Sequence, residues 1–199
     1  MRSSDLAPDW VVAEMPPGYG TRIAEIRRLT QELESMDQFA RLLYDRGPQL
    51  AEAIEALFRS LDVDTELVSE PPCSHVVVRI ESGRRLILHI AADERTIHKK
   101  SPEIAHVFQI LHEAAEEHDR VVLVTNADPG KRPEERSAPL APDAEEFLGR
   151  LGVAHLPASA FFTLWKLSLQ DRSAARQQLS YLHAHQGGTF ELAGSTLLR

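Results

Sequence analysis

The chain has 199 residues, 43% of them hydrophobic and 26% charged, with a formal net charge of −8 and a single cysteine, Cys73. That length accommodates one domain with its own core plus an appendage, and one cysteine excludes an internal disulfide or a cysteine-built zinc site, which suits the cytoplasm. No apolar run reaches the ~18 residues of a membrane span, and the acidic balance disfavours nucleic acid as a partner, because such binding draws much of its affinity from phosphate neutralisation.

The opening stretch MRSSDLAPDWVVAEMPPGYG has no apolar segment of the signal-peptide kind, and residues 1–20 read as a mobile arm. Residues 21–46 turn helical. Ile26, Leu29, Leu33, Met36, Ala40 and Leu43 alternate spacings of three and four, which is a heptad seam. Two readings of that seam stand: an amphipathic helix packed on its own domain, or a short coiled coil joining two copies of the chain in a homodimer. The pattern should stop near Gly47-Pro48, with Pro48 suited to the first turn of a second helix. Residues 47–199 then form the main domain. Leu50, Ile54, Leu57, Phe58 and Leu61 mark one apolar face of that second helix.

Strands are expected over 63–68, 75–80 and 86–91, the latter two joined as a hairpin at Ser82-Gly83. The runs VVVRI and LILHI are nearly continuous in apolar residues, the pattern of strands covered on both faces. A helix is expected over 102–118 with Ile104, Val107, Phe108 and Leu111 as its core stripe, then VVLVT (121–125) as a central strand. A long loop over 126–141 leads to a helix over 143–151, a strand over 153–156, and helices over 159–169 and 177–185, the last closed by Gly187-Gly188. This order describes an α/β or α+β sandwich.

Three stretches carry a resemblance: LLYDRGPQLAEAIEALFRSLDV (42–63), RVVLVTNADPGKRPEERSAPL (120–140) and HLPASAFFTLWKL (155–167). In that order they resemble the PD-(D/E)XK nuclease superfamily, specifically its bacterial restriction-endonuclease-like members. The resemblance implies a mixed central sheet flanked by helices, preceded by a coiled-coil-like helix. It also implies a site in which an aspartate on one strand and a Glu-x-Lys on the next hold divalent metal and activate water. Here the aspartate position falls on His75, with Ser74 as the alternative register. The Glu-x-Lys position falls on His89-Ile90-Ala91, and a shift of one residue would place Leu88 and Ile90 there. Neither carboxylate nor the lysine is present, so the resemblance implies a pseudoenzyme: a regulatory or scaffold domain that binds another protein and needs no cofactor. The alternative is a metal-dependent nuclease or hydrolase with a relocated site, in which His75 and His89 bind Zn²⁺ or Ni²⁺ with His98, Asp93 or Glu94. A nucleic-acid binder without cleavage, using Arg84, Arg85, Lys99 and Lys100, is the third reading.

Other constellations are weaker. HEAAEEH (112–118) lacks the zincin pairing of histidines about four apart and reads as a solvated acidic helix face. In the long loop, Lys131, Arg132 and Arg136 could meet a phosphate or a partner's carboxylate, with Asn126 at the strand end lining a crevice. A structural role competes for two of them. Arg136 would tie the loop to the domain, as the resemblance implies, and Asn126 would bond local backbone. His183 and His185 read as solvated tail residues. Cys73, beside Pro71-Pro72, has no adjacent cation to activate it. Nucleotide-loop and hydrolase motifs do not occur.

Overall fold

A computed structural model describes residues 14–70, 73–80, 83–92 and 95–192. Contacts divide the chain into two units between Gln38 and Phe39. Helix α1, Tyr19–Tyr44, begins in the first and ends in the second. In the first unit Ile26, Leu29, Leu33 and Met36 are between 45% and 60% exposed. At the end of the helix Phe39 and Leu42, one residue off the seam, are buried, and the seam residues Ala40 and Leu43 are half-buried. Residues 1–13 of the expected arm lie outside the described residues, whereas Tyr19 and Gly20 already belong to α1.

In the second unit, helix α2 spans Gly47–Ser60, with Pro48 in its first turn. Its apolar residues Leu50, Ile54, Leu57 and Phe58 are buried along one face. The helix closes with a Schellman motif, in which Val63 N donates to Phe58 O and Asp62 N to Arg59 O, both at 3.0 Å. Asp62 takes the left-handed conformation that glycine usually fills (φ 54°). Its carboxylate accepts from Arg172 Nη1 at 2.6 Å and Arg176 Nη2 at 3.3 Å, a tie across more than a hundred residues that no local pattern announces.

Six strands form one mixed sheet in sequential order: β1 Asp64–Glu70, β2 Cys73–Arg79, β3 Arg85–Ile90, β4 Arg120–Thr125, β5 Ala154–Pro157 and β6 Gly188–Thr189. β1, β2 and β3 are an antiparallel meander; β3, β4, β5 and β6 run parallel. The crossovers are α3 (Pro102–Glu113), α4 (Pro142–Arg150) and the pair α5 (Ala158–Gln170) and α6 (Arg172–Ala184). One face packs Val76, Val78, Leu88, Val122 and Leu156 against α2, α5 and α6; the other packs Ile87, Val121 and Leu123 against α3 and α4. Burial on both faces explains why β3 and β4 read as unbroken apolar runs. Among the described residues no helix is long and apolar enough to cross a membrane.

Several expectations are corrected. α3 ends at Glu113, not near 118, because Asp119 Oδ2 accepts from Glu116 N at 2.8 Å and shapes the following turn. Phe108, expected in the core stripe, is 46% exposed and stacks on His112, while Ile110 is buried in its place. Short strand β6 carries no apolar signal. Gly187 beside it has φ 107°, and a Cβ there would lie 3.1 Å from Gly149 O, so the approach of this segment to α4 requires glycine. His183 is not a solvated tail residue: it is buried, and its Nε2 donates to His118 O at 2.8 Å.

Candidate functional site

Strand register sets the site. His75 pairs with His89, His89 with Leu123, Leu123 with His155, and His155 with Thr189. Residues directly opposite in a ladder point to the same face, so the row runs across five strands beneath α3 and α4, near the carboxyl end of β3 and β4.

His89 is 2% exposed, and neither ring nitrogen has a hydrogen-bond partner among the described residues. Its ring meets that of His106, from α3, edge to face at 5.7 Å. Burial drives its pKa down to about 4; His106 and His75 add to the fall, and the Ser74 backbone opposes it. The ring is neutral at pH 7. Glu103, three residues before His106, is also buried, with Oε2 unpartnered among the described residues. It stands in the first turn of α3, where a carboxylate is favoured by the helix dipole.

His155, equally buried, differs in having both nitrogens bonded. Thr125 Oγ1 lies 2.9 Å from Nε2, Nδ1 lies 3.0 Å from Thr189 Oγ1, and Thr189 Oγ1 donates to Glu145 Oε1 at 3.2 Å. Because the Thr189 proton is committed to Glu145, Nδ1–H must donate to Thr189 and Nε2 must accept from Thr125. The arrangement has the outline of a hydroxyl–imidazole–carboxylate relay. Burial brings the His155 pKa down to about 4, and a base that weak is poorly matched to proton abstraction at neutral pH. The relay therefore ties β4, β5, β6 and α4 together.

The sequence-derived site residues separate. His75 and His89 are brought together, and helix α3 adds His106, which sequence reasoning missed; its advance signal was its place on a helix crossing back over the strand. Ala91, which the resemblance aligned with the end of a Glu-x-Lys position, is buried and donates its N–H to Val124 O at 2.9 Å. His98 is exposed beside Asp143, 3.8 Å from its Oδ1. Glu94 lies outside the described residues, as does Asp93. Among the described residues no group of three or more His, Cys, Asp or Glu is placed to hold a metal ion.

Asn126 is buried, and its Nδ2 donates to Asp45 O at 2.6 Å. Arg136 donates to Asn126 Oδ1 at 2.6 Å, to Lys131 O at 3.1 Å and to Leu43 O. Together they cap the carbonyls at the end of α1 and hold the long loop to it, the structural role weighed for Arg136. Burial pulls the Arg136 guanidinium below the usual arginine range, against Asp128 and Glu134. Lys131 pairs with Asp128 at 3.1 Å, and Arg132 is exposed. Beside this cap, Thr125, Asn126, Arg136, Pro157 and Ser159 line a cavity of ≈ 230 Å³.

Arg85, one of the suggested nucleic-acid contacts, is committed to Asp119 at 2.5 Å and Glu116 at 2.9 Å. Burial would raise the Asp119 pKa, yet the Arg85 guanidinium and the Glu116 N–H hold it below the usual carboxylate range. Lys99 lies over the Phe147 ring at 4.8 Å. Arg85 opens β3 and Lys99 follows its far end, so the basic residues do not form one face. Compared with protein-family models, with curated proteins and with solved structures, the chain gives no match.

Proposed function

We propose that this protein is a catalytically silent, restriction-endonuclease-like domain that works through protein contacts and assembles as a homodimer. One observation carries the reading. Where the resemblance calls for a metal-holding aspartate and a Glu-x-Lys, paired β2 and β3 present His75 opposite His89, followed by Ile90 and Ala91. Two imidazoles and two buried apolar side chains supply neither the oxygen ligands nor the ammonium that magnesium-dependent hydrolysis uses. The element order supports it too: a helix, an antiparallel three-strand meander, then a helix crossing to a parallel strand.

The contact surface in this reading is the first unit's seam, Ile26, Leu29, Leu33 and Met36, exposed at heptad spacing. Arg28 bonds both Glu25 and Glu32 on its flank, which limits acidic repulsion between paired helices. Light scattering should give about twice the chain mass, and Leu29→Glu/Leu33→Glu should return a monomer with an unchanged circular dichroism spectrum. A wild-type monomer at tens of micromolar would sink the dimer. Cleavage assays on DNA and RNA with Mg²⁺, Mn²⁺, Zn²⁺ and Ni²⁺ should show no product. Cleavage lost in His75→Ala/His89→Ala would favour the second reading, a histidine-based metal hydrolase, for which the unpartnered His89 ring is the supporting observation.

A further inference from the structure

We infer that the cavity between the long loop and the start of α5 binds a small monocarboxylate. Thr125 ends β4 and Pro157 ends β5, its parallel neighbour, and both line the cavity. Open α/β sheets take ligands at this end of their strands. The floor is fixed in place. Thr125 and Asn126 are buried, Thr125 Oγ1 is bonded to His155 Nε2, and Asn126 Nδ2 donates to Asp45 O. A lining held this way loses little freedom when a ligand enters. The volume of ≈ 230 Å³ lies below the ~300–1,000 Å³ of drug-sized sites, so the ligand has to be compact.

Its chemistry is that of one positive charge without a counter-charge. Among the described residues that line the cavity, Arg136 alone is charged, although the chain as a whole is acidic. Arg136 donates to Lys131 O, Asn126 Oδ1 and Leu43 O, all neutral oxygens. One N–H of each nitrogen is used, which leaves a second on Nη1 and another on Nη2. Asp128 and Glu134 favour the charged guanidinium, yet burial opposes it more strongly. Asp128 is itself engaged by Ser137 N at 3.0 Å and by Lys131. A cation withdrawn from water onto neutral groups alone gains from an anion beside it. Helix α5 adds to the field: it opens at Ala158 with no side-chain cap, and Ser159 in its first turn lines the cavity, which sets the positive end of its dipole at the wall. One guanidinium balances one negative charge, so a carboxylate suits the cavity better than a phosphate dianion. Ala127, Pro139 and Pro157 give it apolar surface for a short hydrocarbon chain. This inference does not rest on the dimer reading.

Titration of the isotope-labelled full chain with butyrate, followed by NMR, tests it. Butyrate should shift the backbone amides of Asn126 and Ser159 saturably. Butyramide, which has the same shape without the charge, and inorganic phosphate should each bind about tenfold more weakly or worse. Arg136→Gln should weaken butyrate by about tenfold or more. Because Arg136 also holds the loop, Ser159→Phe is the second variant: it fills the cavity, leaves the bonds of Arg136 in place, and should abolish the saturable shifts. Arg150→Gln removes a positive charge at the other end of α4 and should bind like wild type. The inference is overturned if butyrate gives no saturable shift, if butyramide or phosphate binds as tightly, or if Ser159→Phe leaves binding intact.

Discussion

The β2–β3 side of the sheet and the β4–β6 side bury a histidine in the same row and at the same depth, yet they use it in opposite ways. His89 and His155 are both 2% exposed and both brought to about 4 by burial, with Leu123 between them. His155 satisfies both ring nitrogens through Thr125 and Thr189, whereas His89 satisfies neither within the described residues. Desolvation is the largest influence on the charge state of both imidazoles, joined at His89 by His106 and His75. Hydrogen bonding decides whether that imidazole stabilises the fold or costs it, since a buried polar atom left unpaired forfeits its hydration without return.

The largest effect separating these sides from an ordinary domain should appear in acid. Both histidines have folded pKa values near 4, below the ordinary 6.5. Between those values the unfolded chain binds more protons, so stability is full above pH 6.5 and falls as pH drops towards 4. The loss is on the order of 3 kcal/mol for each histidine. Urea midpoints measured from pH 7 to 4 should show it, and a flat profile over that range would refute the burial of both rings.

Next in size is His155→Ala, expected to cost about 3 kcal/mol at pH 7, because it opens a cavity and strands the Thr125 hydroxyl. A loss under about 1 kcal/mol would mean that the relay is not formed. Smallest, and opposite in sign, is His89→Leu. Replacing an unpartnered ring with an apolar side chain should leave stability unchanged or raise it by about 1–2 kcal/mol at pH 7, and should remove half of the acid-sensitive loss. Should His89→Leu destabilise the protein as His155→Ala does, His89 has a partner, and metal analysis of the purified chain becomes the deciding measurement.

Much of the architecture was legible because it rests on local periodicity. The second helix, the hairpin of VVVRI and LILHI, the central strand VVLVT and the later helices all follow from spacing and turn residues. Helix α3 was overextended because the acidic run after Glu113 is compatible with helix, and only Asp119 capping Glu116 N ends it. Phe108 and Ile110 exchanged roles because the apolar stripe of a short helix is wide, and the sheet chooses which edge it covers. Strand β6 was invisible: with two residues, Gly188 and Thr189, it has no pattern to read.

The candidate site was legible only in its pairing. The resemblance singled out His75 and His89 on adjacent strands, with a shift of one residue left open, and the ladder pairs the two. The His89–His106 contact and the His155 relay arise from residues far apart in the chain, brought together by crossovers that bury one face of the sheet under α3 and α4.

By itself the sequence determined the alternation of helices and strands and the two-sided burial of β3 and β4. These depend on side-chain type and spacing along the chain, which are local. Only the tertiary structure decided which buried histidine has partners among the described residues and which carbonyls Asn126 and Arg136 cap. Those depend on contacts between distant segments, and a one-residue slip in register would send each side chain to the other face.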